Sequence, residues 1–151
     1  MSTITPPTAL TSRPPRSART RLGGYVILPR MLDKLRATLV GTNGEYHYAC
    51  PLDQRFLTFA GVDAEALKAE ATRGRSDFEL LVWIRANAKN KPTEAAIFAW
   101  SAYEEQRAPG NIGGREYVGE LHKGVNADRD DISTWFDILD ADDFVSFGGK
   151  A

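Results

Sequence analysis

The chain has 151 residues, of which 42% are hydrophobic and 26% charged, and a formal net charge of -1. That length buries one core of ordinary size, and the near-neutral balance excludes a global field for nucleic acid or membrane surfaces. A single cysteine, Cys50, excludes an intramolecular disulfide and a thiolate metal cluster within one chain.

Residues 1 to 21 carry prolines and Arg13, Arg16, Arg19 and Arg21 with little apolar content, and predict a flexible Pro/Arg-rich arm. The start of the chain lacks the apolar segment of a secretory signal, and no apolar run reaches the roughly 18 to 20 residues that cross a bilayer, so a cytoplasmic protein with no membrane partner is expected. Pro29 predicts the start of a helix that ends at Gly41, with Met31, Leu32, Leu35 and Leu39 as its apolar stripe. Arg30, Asp33, Lys34 and Arg36 fall on its other faces, which as a plain charged surface would face water. Asn43-Gly44 and the run Tyr46, His47, Tyr48 predict a loop, with at most a short extended segment near 44–50.

Pro51 then opens a short helix closed by Gly61, and Asp63 caps another that stops at Gly74. Ser76 and Glu79 have capping-box spacing, and the helix they open is apolar almost all round from Leu80 to Ile84, which predicts a course through the middle of the core. Thr93 caps a helix carrying Ile97, Trp100 and Tyr103. The stretch REYVGELHKG predicts a weaker helix broken at Gly119. The last helix is expected over DRDDISTWFDILDADD, with Ile132, Trp135, Phe136 and Leu139 at helical spacing and acidic residues at its start. The expected architecture is all-α: a compact single-domain bundle of about six to seven helices over 22–147, with a flexible tail at 148–151.

Residues 44–56, GEYHYACPLDQRF, gather the cysteine, one of the two histidines, two tyrosines and an Asp/Arg pair on irregular backbone, which is where binding groups tend to sit. His47, Tyr46 and Asp53 are the candidates for proton transfer or hydrogen bonding; Arg30, Asp33, Arg55 and Tyr48 are the candidates for orienting a ligand. Cys50 is read as packed rather than nucleophilic, because its surroundings match no cysteine-enzyme pattern. The two histidines lack metal-ligand spacing, the C-terminal aspartates fail the calcium-loop pattern, and no phosphate-cradling glycine loop occurs, so no metal or cofactor is expected. The arm lacks aromatic interleaving, which argues against nucleic acid.

The run from Leu22 to Ala88 and the closing ADRDDISTWFDILDADD resemble the bacterial domain of unknown function 5069 family. The resemblance rests on Leu28-Pro29-Arg30, Asp33-Lys34, the Tyr46 to Phe56 loop, Gly61-Val62-Asp63 and Asp128 to Asp131. It implies a bacterial cytoplasmic protein and brings no mechanism.

The leading expectation is a small helical enzyme or small-molecule-binding protein acting on a polar or anionic metabolite, its pocket walled by the Pro29 helix and the 45–55 loop. The alternative is a non-catalytic interaction module that forms a homodimer or clasps a protein partner through its arm. The sequence does not decide between enzyme and binder.

Overall fold

The computed structural model describes residues 9–151. Among them are seven helices and no sheet, as expected: α1 (Leu28–Leu39), α2 (Pro51–Ala60), α3 (Ala64–Ala71), α4 (Asp77–Asn87), α5 (Glu94–Gln106), α6 (Ile112–Asn126) and α7 (Trp135–Ser146). No helix among the described residues is long and apolar enough to cross a membrane.

The boundaries follow local chemistry. The side chains of Asp63, Ser76 and Thr93 accept the N–H groups of Ala66, Glu79 and Ala96, satisfying donors that the first turn of each helix leaves open. Gly61 closes α2 at φ 73°, and a β-carbon there would sit 2.9 Å from the Asn90 nitrogen, so both backbone angle and space require glycine. Two boundaries differ from expectation. α6 runs unbroken through Gly119, supported by the packing of Val118 with Ile138 of α7 and Ile132 of the segment before it. α7 starts later than expected, because Thr134 and Asp137 form a full capping box and Asp137 also accepts the Ser133 N–H; Asp128 to Asp131 lie in the turns before it.

The middle of the molecule is α1, not α4. Nine of the twelve α1 residues are buried, whereas α4 buries Leu80, Leu81 and Ile84 and leaves Phe78 and Val82 exposed. Elements on every side of α1 put its charged residues inside, and each is matched by a partner from a different segment: Arg30 with Asp143 of α7, Asp33 with Arg16, Lys34 with Asp53 of α2, and Arg36 with Asp77 of α4. The solvated charged face expected for this helix is therefore corrected. Tyr25, Phe56, Phe59 and Trp100 complete the main core, with Phe59 and Trp100 stacked at 4.9 Å.

The flexible-arm expectation changes for residues 9–21; residues 1–8 lie outside the described part. Leu10 and Ala18 are buried, and Arg16 gives Asp33 its backbone N–H at 2.9 Å and its Nε at 3.0 Å while Nη1 reaches Asp77 at 2.8 Å. Arg19 pairs with Asp137 and Asp140, and Arg21 with Glu105. Ala18 O also accepts the N–H of Ile27, a buried β-branched residue held at φ 73°. Such a backbone persists only where its surroundings fix it. The tail is held as well: Gly149 N–H donates to Phe144 O, and Asn126 Nδ2 to Ala151 O.

Removing residues 1–20 should accordingly cost at least about 2 kcal/mol, from Leu10 burial alone, with further loss from Arg16 and the Ala18 acceptor. Urea unfolding checks this, and an unchanged midpoint would mean that the segment does not hold the fold.

Candidate functional site

The backbone between α1 and α2 is set by side chains of the α2 first turn. Ala49 adopts φ 60°, unfavourable for a residue with a β-carbon, and is clamped on both sides: its N–H donates to Asp53 Oδ2 at 2.9 Å and its carbonyl accepts from Gln54 Nε2 at 3.1 Å. Asp53, with no exposed surface, also accepts from Lys34 Nζ at 2.9 Å. Lys34 in turn reaches Cys50 Sγ at 3.2 Å. One buried carboxylate thus ties the loop, α1 and α2 together. Burial pushes the Asp53 carboxyl above its ordinary range, with the Lys34 ammonium the main opposing influence.

The loop so held forms one side of a cavity of about 820 Å³. Arg30 and Lys34 come to it from α1, Tyr46, His47 and Cys50 from the loop, Leu52 and Arg55 from α2. The other side is Arg107, Tyr117 of α6, and Trp135, Leu139, Asp142 and Asp143 of α7, with Phe147 beyond. The size suits a small-molecule ligand, and the wall is apolar with a few charged groups set into it.

Two charged clusters border the space. In the first, Asp143 accepts from Arg30 Nη1 at 2.6 Å, Arg30 Nη2 at 3.3 Å and the Tyr46 hydroxyl at 2.7 Å. Burial, followed by the bond to Asp143, drives the Tyr46 phenol well above its ordinary pKa, so it is a hydrogen-bond donor at neutral pH. Asp142 lies next to Asp143, and burial and that neighbour raise its pKa in turn. In the second cluster, the fully buried Glu104 of α5 accepts from Arg55 Nε at 2.7 and 2.9 Å and from Arg107 Nε at 3.2 Å. The Arg107 guanidinium lies 5.5 Å from the Trp135 ring centroid. The Trp135 indole N–H is buried without an acceptor among the described residues.

Of the candidates read from the sequence, Arg30, Tyr46, His47 and Arg55 meet at this cavity, with His47 exposed. Three do not line it. Asp33 is held by Arg16; Tyr48 donates its hydroxyl to Ala64 O at 2.8 Å; Asp53 stands behind Lys34 and acts on the cavity through that residue and through the loop it holds at Ala49. The residues that sequence reasoning missed, Glu104, Arg107, Trp135, Asp142 and Asp143, arrive from helices distant in the chain. A second cavity, of about 640 Å³ near Gly23, Arg85 and Phe98, contains none of the candidates. Among the described residues no group of three or more His, Cys, Asp or Glu side chains could hold a metal ion.

A family model described as Domain of unknown function (DUF5069) matches residues 12–145. The chain belongs to this family. In this DUF5069 chain the match begins at Ser12, ahead of the Leu22 start suggested by the sequence pattern, and so takes in Arg16 and its partners on α1 and α4. It also spans both charged clusters of the cavity. No curated protein matches the chain.

Proposed function

We propose that this protein binds a small metabolite in the cavity between the 44–50 loop and α7, with Tyr46 and His47 as its hydrogen-bonding or proton-transfer groups. The observation that carries the reading is convergence: four side chains chosen for their chemistry, Arg30 from α1 and Tyr46, His47 and Arg55 from the 44–56 segment, line one space with an apolar wall. Tyr46 supports it further, because its hydroxyl proton is given to Asp143 and its oxygen is thereby held as an acceptor at the cavity. His47 offers either a donor or an acceptor according to its tautomer. The proposed setting is a reducing cytoplasm, where Cys50 remains a thiol. Clasping a partner by the arm has less support, since Arg16, Arg19 and Arg21 are engaged by carboxylates of the same chain.

A thermal-shift screen against metabolites tests this reading. A ligand present at about a hundred times its Kd stabilises the native state by about 2.7 kcal/mol, equivalent to roughly 5 to 10 °C for a chain of this size. Tyr46→Phe and His47→Ala should each reduce the shift, and Ser146→Trp, which places an indole at the cavity lining, should abolish it. Full retention of the shift in all three variants would place the binding site elsewhere.

A further inference from the structure

Glu104 is one carboxylate shared by two arginines, so the cluster at the end of α5 carries one positive charge in excess. Both arginines engage it through Nε. Among the described residues the terminal amino groups of Arg55 and Arg107 have no hydrogen-bond acceptor, and both side chains line the cavity while retaining 37% and 21% exposure. Glu104, fully buried, fixes the inner edge of each guanidinium, and the Trp135 ring restricts Arg107 further. The outer donors are left in the fork geometry that matches a carboxylate or phosphate group.

We propose that Arg55 and Arg107 together seat the anionic group of the ligand, and that the ligand is a carboxylate or phosphate carrying an apolar body. This rests on the cavity being the binding site. The apolar body has Leu52, Trp135 and Leu139 to pack against. Charge also sets its direction. Asp142 and Asp143 line the same cavity from α7, with Arg30 and Tyr46 both engaged by Asp143, so an anion is repelled there and drawn to the arginine pair.

The test is calorimetric titration with matched pairs at constant salt and near-neutral pH: octanoate against octanamide, phenylbutanoate against phenylbutanamide, and phenyl phosphate against phenol. The expected result is that at least one anion binds about tenfold or more tightly than its neutral partner, as charge-assisted bonds require. Comparing the carboxylates with phenyl phosphate tells which head group the seat prefers. Arg107→Gln leaves Glu104 paired with Arg55, so the fold survives, and it should remove most of the preference for the anion over its neutral partner. Arg55→Lys, which keeps the charge and loses the fork, should reduce it partially. Equal binding of anion and neutral partner, or an undiminished preference in Arg107→Gln, overturns the arginine seat and leaves the cavity reading standing. Failure of every member of every pair to bind overturns both.

Discussion

Lys34→Met should lower the free energy of unfolding by about 3 to 5 kcal/mol, because it leaves the Asp53 carboxylate buried with no counter-charge. Both side chains are almost fully enclosed, at 4% and 0% exposure, so solvent cannot replace the lost ammonium. The pH dependence has a definite sign. Asp53 already has a carboxyl pKa raised from its ordinary 3.8 by burial, with Lys34 opposing. A group with a raised carboxyl pKa contributes stability that is present below its unfolded value and lost as pH rises through the folded one. Removing Lys34 widens that window, so the deficit of Lys34→Met should be small near pH about 4 and grow toward neutrality. Adding Asp53→Asn to Lys34→Met should restore most of the loss, since the Asn carbonyl still accepts the Ala49 N–H without a charge to bury. Chemical denaturation across pH checks all three statements; a pH-independent deficit would contradict them.

Arg30→Met should cost a similar amount, about 3 to 5 kcal/mol, by stranding Asp143 at the joint between α1 and α7. The replacement that keeps charge is not conservative here. Arg30 reaches both oxygens of Asp143 and also donates to the Arg16 carbonyl, at 3.3 Å, and a lysine ammonium cannot cover that fork. Arg30→Lys should therefore lose about 1 to 2 kcal/mol, the scale of one or two hydrogen bonds. In Arg30→Met the Tyr46 hydroxyl remains bonded to Asp143, so a double-mutant cycle with Tyr46→Phe should reveal coupling of at least about 0.5 kcal/mol. Strict additivity would mean that the three side chains do not act as a unit.

The helices were legible because their ends carry local chemistry: Pro51, Gly61, Asp63, Ser76 and Thr93 mark boundaries with side-chain and backbone preferences that need no tertiary context. Burial was less legible. Periodicity ranks faces by apolar content, and α1 was misjudged because its charged residues are neutralised by partners up to 113 residues away. A signal for those partners was present. Glu104, Glu105 and Asp143 stand toward the C-terminal ends of α5 and α7, where the helix dipole disfavours a carboxylate. Each meets an arginine from elsewhere: Arg55, Arg21 and Arg30 respectively. Read that way, misplaced acids point to ion-pair joints rather than to a solvated acidic face.

The candidate site was half legible for the same reason. Tyr46, His47 and Arg55 could be chosen because unusual residue types crowd one short segment, and Arg30 as an anion-orienting group on the Pro29 helix expected to wall the pocket. Asp53 was assigned a direct role on its residue type, but its carboxylate has no exposed surface and organises the loop instead. Arg107 and Trp135 lie at the edges of α5 and α7, and only the packing of those helices brings them to α2.

A crystal structure with the tightest-binding acid of the matched series is the most direct measurement. The bound molecule should place its anionic oxygens within hydrogen-bond distance of the terminal amino groups of Arg55 and Arg107, with its body along Trp135 and Leu139. A ligand found in the cavity near Gly23 and Phe98, or with its anionic group at Asp142, would contradict the assignment.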